Sequence, residues 1–145
     1  LTYMLVNDLN KQNLTNTPAY SFKNRFTKCK VLSCYDGDTI TVAMRLEKDI
    51  FKFKVRMNGY DSPEMKPRLN KLNRQDEIKA AKCAKLFLEN KILDKIVDVK
   101  ILGFDKYGRV LAVIYYNGLN INSCMIENKH GYVYTGGTKK IFKIS

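Results

Sequence analysis

Residues 51–58 alternate strictly between apolar and polar side chains. Phe51, Phe53, Val55 and Met57 alternate with Lys52, Lys54, Arg56 and Asn58. A period of two marks a strand with one face in a core and the other in water; a helix would scatter these four apolar side chains around its axis. The polar face here is basic, and a sheet that is wet on one side is an antiparallel one. The neighbouring segments extend the pattern. Residues 26–35 read as a strand, Asp36-Gly37 as a tight turn, and Ile40, Val42, Met44 and Leu46 again keep period two. Pro63 and Pro67 end the strand run and open a lysine-rich loop to Asn73.

The period then changes. Ile78, Ala81, Ala84, Phe87 and Leu88 share one face of a helix over residues 75–91. Strands return at 95–104, with Val97, Val99 and Ile101 in step, and at 109–116, with a turn over 103–108 between them. Asn117-Gly118 is a second tight turn. Residues 121–129 suit a short helix, with Gly131 as its left-handed stop. Tyr132-Val133-Tyr134 is extended. Three strands, a helix, two strands and a short helix predict an α+β fold: a small five-stranded OB-fold β-barrel with two or three helices. Residues 1–25, punctuated by Asn7, Asn10, Asn13, Asn16, Pro18 and Asn24, read as a partly ordered N-terminal arm. Leu1, Met4 and Leu5 suit one short helical turn there. The barrel domain spans 26–138 and a basic tail 139–145.

The 145 residues suffice for one sizeable core but not two. Apolar residues make up 45% and charged residues 28%, the balance of a globular domain. No apolar run approaches a membrane span of about 20 residues. The formal charge of +12 calls for an anionic partner, of which polyphosphate backbones are the commonest. Cys29, Cys34, Cys83 and Cys124 form no C-x-x-C pair and His130 is the only histidine, which argues against structural zinc and points to a reducing compartment. Secretion after removal of a signal is compatible with the sequence, although residues 1–9 make a poor signal themselves. His130 reads as a helix C-terminal residue meeting the dipole. Without a second histidine, a Ser-His-Asp or Cys-His arrangement would have to run through it. There is no Walker A motif and no G-x-G-x-x-G.

The acids stand beside turns. Asp38 follows a glycine turn and opens a strand. Asp61 and Glu64 flank Ser62-Pro63, where proline fixes the backbone. Converging carboxylates with a backbone carbonyl and water make an oxygen-rich site suited to calcium or magnesium, not zinc. Asp-Gly and Asp-Ser-Pro are also ordinary turn sequences, so each motif alone is evenly balanced. Arg56, on the polar face of its strand, and Arg109, after a Tyr-Gly turn, offer planar paired donors to a phosphate; singly, each reads as readily as a surface ion pair.

Together the motifs decide. D-G-D-T at 36–39, R-x-x-x-x-D-S-P-E at 56–64 and D-K-Y-G-R at 105–109, in that order, resemble the staphylococcal-nuclease (thermonuclease) family, and Gly131-Tyr132-Val133-Tyr134 matches its tyrosine pair. The resemblance runs from about Phe26 to Thr135. It implies a calcium-dependent nuclease on an OB-fold barrel. Asp38 and Asp61 would bind calcium directly, with the Ser62 carbonyl. Glu64 would be the general base, and Arg56 and Arg109 would grip the phosphate. Lys106 and Tyr107 would contact a terminal phosphate of the nucleotide, Tyr132 and Tyr134 would line the nucleotide pocket, and Asp36 would support the turn behind the metal ligands. Ser62 departs from the family's usual threonine, a mild change where the ligand is a backbone carbonyl. The resemblance further implies a monomer that hydrolyses DNA and RNA, leaving 3′-phosphates and preferring single-stranded or A·T-rich substrate. A non-catalytic OB-fold module for single-stranded nucleic acid is the main alternative, and the presence of all five acids and arginines argues against it. A basic protein-interaction domain is a third reading with no specific sequence support.

Overall fold

A computed structural model describes residues 2–133. Element order is α1 (Thr2–Asn10), β1 (Phe26–Cys34), β2 (Thr39–Leu46), β3 (Asp49–Met57), β4 (Tyr60–Asp61), α2 (Arg74–Ile92), β5 (Ile96–Phe104), β6 (Val110–Tyr116), β7 (Leu119–Asn120), α3 (Ile121–Glu127) and β8 (Tyr132–Val133). The main sheet runs β3-β2-β1-β5-β6-β7, and a parallel pairing of β3 with β6 closes it. Val55 pairs with Val110, Arg56 with Leu111 and Met57 with Ala112 across that seam. Closure removes the open edges that a twisted five-stranded sheet would otherwise leave, and the result is the OB-fold barrel expected from the element order.

Period two fills the interior. Val31, Ile40, Val42, Met44, Val55, Met57, Val97, Val99, Ile101, Val110, Ala112 and Ile114 are buried inside the barrel strands. Ala84, Leu88 and Ile92 of α2 pack on that core, and Ile121 and Met125 of α3 join it. Each valine, leucine, isoleucine or methionine among them, fully buried, contributes about 1.5–3 kcal/mol of transfer free energy. α3 starts at Asn120, whose side chain accepts the Ser123 N–H at 3.0 Å.

Several expectations need correction. Phe51 was placed on the buried face of its strand, but it is 50% exposed, because β3 runs beyond the barrel: Val55 and Met57 are buried and Phe53 packs on the core only in part. Gly131 is not the left-handed stop of α3. Lys129 takes that role with φ 63°, and Gly131 is instead a point of close approach: a Cβ there would lie 2.3 Å from Cδ2 of Tyr60. In the N-terminal segment α1 is a nine-residue helix with no buried residue, longer than the single turn expected. The end of the same segment joins the core, since Phe22 is buried against Phe53 and Phe104. No described helix is long and apolar enough to cross a membrane.

Candidate active site

Three turns meet over one end of the barrel. The first is 35–38, between β1 and β2. Its conformation is set by Asp36, whose Oδ1 accepts the backbone N–H groups of Asp38 (3.0 Å) and Thr39 (2.9 Å). Gly37 is required here by crowding. A Cβ would meet Cβ of Ser62 at 2.8 Å and Cβ of Ala84 at 2.9 Å, so the turn can lie on the second turn and on α2 only without a side chain. Burial, and then the charge of Asp38, push the Asp36 carboxyl up to about 7.

The second turn follows β3. Asp38 and Asp61 are both buried, and both face Arg56. Arg56 Nη2 lies 3.4 Å from Asp38 Oδ2 and donates a short hydrogen bond to Asp61 Oδ1. Its Nη1 donates to the carbonyls of Met57 (2.9 Å) and Tyr60 (2.8 Å). The guanidinium is therefore fixed by four oxygens, a rigid fork that lysine could not reproduce. The Ser62 N–H donates to Asp38 Oδ2 at 2.9 Å, tying the second turn to the first. Burial alone would raise the Asp38 carboxyl. The Arg56 charge, the Ser62 N–H and the side-chain hydrogen bonds of Asp36 and Thr39 outweigh it and hold Asp38 below its ordinary value.

The third turn is 105–109, between β5 and β6. Asp105 Oδ1 accepts the N–H groups of Tyr107 and Arg109, each at 2.9 Å, while Oδ2 accepts Arg109 Nε at 2.6 Å. Burial opposes ionisation of Asp105, but these Arg109 and Tyr107 hydrogen bonds win and keep its carboxyl below the usual range. Arg109 is thereby anchored through Nε, which leaves the outer nitrogens of its fork for another anion. The exposed Tyr107 ring carries the Lys106 ammonium at 5.2 Å and the Arg109 guanidinium at 5.3 Å.

Asp36, Asp38, Arg56, Asp61, Glu64, Lys106, Tyr107 and Arg109 line one cleft, together with Asp105, Lys54, Lys66 and Lys85. Ser62 is buried beneath it. Tyr132 pairs with Asp61 across β4 and β8, on the strand whose Val133 lines the cleft. Tyr134 and the tail 139–145 lie outside the described residues. Among the described residues no three aspartate, glutamate, histidine or cysteine side chains are grouped to hold a metal. The pair Asp38 and Asp61 does converge on a single cation, the Arg56 guanidinium. That all-oxygen pair fits a hard ion whose remaining ligands are a backbone carbonyl and water.

His130 takes no part. Its ring packs on Phe87 at 4.6 Å and burial lowers its pKa, while its backbone N–H closes the end of α3 on the Met125 carbonyl at 2.9 Å. The four cysteines are free.

Three supporting residues escaped the sequence reading. Tyr60 is fully buried under the cleft, and its hydroxyl donates to the Gly37 carbonyl at 2.6 Å. Asn122 is buried, donates to the carbonyls of Asn58 (2.8 Å) and Ala112 (3.1 Å), and accepts the Ile114 N–H at 3.0 Å. Asp105 is the third: the sequence reading placed it in the D-K-Y-G-R motif but gave it no role, and its place four residues before Arg109 was the available signal.

A closed OB barrel with paired acids and fixed arginines at one end defines a class: proteins that handle phosphate esters or nucleic-acid backbones. The family model described as Staphylococcal nuclease homologue matches residues 54–141, more than half of the chain, and the chain belongs to that family. It is 30% identical over 106 residues to an uncharacterized endonuclease of Haemophilus influenzae, covering 73% of this chain and 52% of that protein. It is 28% identical over 103 residues to a probable staphylococcal-like nuclease, CAN2, of Oryza sativa subsp. japonica, covering 71% of this chain and 23% of the relative. An uncharacterized protein of Methanocaldococcus jannaschii is 30% identical over 124 residues, covering 72% of this chain and 58% of the relative. The chain thus spans about half, or less, of the length of most of the curated relatives it matches.

Proposed function

We propose that this chain is a calcium-dependent, sugar-non-specific nuclease that hydrolyses phosphodiester bonds of DNA and RNA and leaves 3′-phosphates. The observation that supports it most is the convergence of Asp38 and Asp61 on Arg56 in the cleft that Glu64 and Arg109 also line. Asp38 and Asp61 would hold calcium, with the Ser62 carbonyl. When bound, calcium offsets phosphate charge and orders water beside it.

The chain's own residues supply the rest. A phosphodiester resists attack because it is anionic and gathers more charge in the transition state. Arg109, anchored through Nε by Asp105, presents its outer guanidinium donors to the non-bridging oxygens, and Arg56, anchored through Nη1 by the Met57 and Tyr60 carbonyls, would add its remaining Nε–H donor and its positive charge. Glu64, exposed at the cleft, takes the proton of the attacking water. The bond from phosphorus to the 5′ oxygen then breaks, leaving the phosphate on the 3′ side. Lys106 and Tyr107 meet a terminal phosphate, and Tyr132 and Tyr134 flank the nucleotide. Contacts of this kind follow the backbone and base faces, not base edges, so selectivity is low and single-stranded or A·T-rich substrate is favoured.

The test is incubation of the protein with plasmid and with single-stranded DNA, first in calcium and then in chelator. Degradation that chelator stops supports the proposal. Binding without degradation in either condition refutes it and leaves a nucleic-acid-binding module.

A further inference from the structure

The outward face of β1, β2 and β3 is a second basic surface, continuous with the cleft. The alternation that buries Val55 and Met57 turns Lys52, Lys54 and Arg56 outward. Register then levels these with the neighbouring strands. Lys54 stands opposite Thr41, Lys52 opposite Ala43, and Ala43 in turn opposite Lys30; one step further Arg45 stands opposite Ile50. The middle strand thus presents Ala43 between Lys30 and Lys52, and Thr41 between Ser33 and Lys54. The result is a shallow trough with positive walls. Its upper end is the cleft itself, which Lys54 and Thr41 already line.

Charge on this face is uncompensated. Lys30, Arg45, Lys52 and Lys54 are exposed, and among the described residues none is in an ion pair. Asp98 of β5 is spent on Lys28 at 2.9 Å. Glu47 and Asp49 sit at the β2–β3 turn, at the far end. Alternate residues advance about 7 Å along a strand, so the cations form a ladder that an extended chain of phosphates can follow.

We infer that a single nucleic-acid strand bound in the cleft continues along this trough towards the β2–β3 turn. The inference rests on the cleft being a nucleic-acid site. It adds a substrate-length dependence that the cleft alone does not supply.

The experiment measures fluorescence anisotropy of labelled oligothymidylates of about 4 and about 16 nucleotides, in chelator so that nothing is cleaved. The triple variant Lys30→Gln/Arg45→Gln/Lys52→Gln is compared with the parent after melting curves confirm that both fold. The trough predicts at least about tenfold weaker binding of the long strand and a salt slope reduced by about 2, since each lost phosphate contact removes roughly 0.7. The short strand binds both proteins equally. Unchanged binding of the long strand, or equal loss for both lengths, overturns the inference. So does loss of binding to phosphatidylserine vesicles without any change for the long strand. Arg109→Ala reports separately on the cleft: if it leaves the short strand's affinity unchanged, the cleft reading fails and the inference built on it falls too; if it weakens the short strand while the triple variant leaves the long strand unchanged, the cleft reading stands and only the trough fails.

Discussion

The Tyr60 hydroxyl donates a 2.6 Å hydrogen bond to the carbonyl of Gly37, twenty-three residues away in sequence. This bond links the floor of the second turn to the tip of the first. The same tyrosine presents its own carbonyl to Arg56 and its ring to Gly131. One buried residue, through its hydroxyl, carbonyl and ring, therefore sets the height of Asp38, the aim of Arg56 and the path of the chain into β8.

Tyr60→Phe keeps the ring and removes the donor. It leaves the Gly37 carbonyl unpaired in a buried place, which costs about 1–3 kcal/mol. Denaturant unfolding should show that loss. Nuclease activity should fall further than stability alone explains, because the Asp38 turn loosens.

Gly131→Ala should destabilise by about 1–3 kcal/mol, since the new methyl must displace the Tyr60 ring. Lys129→Gly, two residues earlier, relieves a left-handed residue and should be close to neutral, within about 1 kcal/mol, because glycine's entropy cost offsets the gain. The two melting curves compared side by side check which residue closes α3 and which makes room.

Asp105→Ala should act through Arg109. The guanidinium loses its 2.6 Å partner on Nε, and the Tyr107 and Arg109 N–H groups lose their acceptor. A misplaced donor costs on the order of a hundredfold. Steady-state kinetics should show the fall in kcat, with KM changing less, if Arg109 works mainly on the transition state.

Thiol chemistry should separate the cysteines. Burial pushes the Cys29 thiol up to about 11 and the Cys34 thiol, with a further contribution from the Glu89 charge, up to about 12, and Cys124 is buried as well. Cys83 is exposed on α2. A disulfide reagent at pH 8 should modify Cys83 quickly in the native protein and the other three only on unfolding. Mass spectrometry of the labelled peptides checks it.

His130 should make stability depend on pH in one direction. Its folded pKa is lowered by burial from 6.5, so the unfolded chain binds the proton more readily. Stability from this group is present above 6.5 and is lost as pH falls through the folded value. His130→Gln should flatten the stability profile in that window, and urea midpoints measured at pH 7.5 and below 6 would show it.

Local pattern carried the strands and the long helix because each buries one face, and a buried face leaves a period in the sequence. It also carried the acidic and basic motifs, which stand in short runs beside turns. Closure of β3 on β6 left no such trace, since it joins residues more than fifty positions apart. Phe51 fails the alternation rule because β3 outruns the barrel; period reports a facing direction and not how far the core extends. Glu77 was unreadable for a different reason. It is buried in the first turn of α2 and held by Lys71 at 2.7 Å, a pairing across a loop that no spacing announces. Tyr60 works through one hydroxyl bond to a distant carbonyl and Asn122 through three bonds to backbone groups, which composition cannot signal.

The measurement that bears most directly on the account is the cleavage rate of an end-labelled single strand in calcium, for the parent, Glu64→Gln and Arg109→Ala. The account predicts 3′-phosphate products from the parent, arrest by chelator, and rates lower by about a hundredfold or more in both variants. An intact strand with the parent, or three indistinguishable rates, would contradict it.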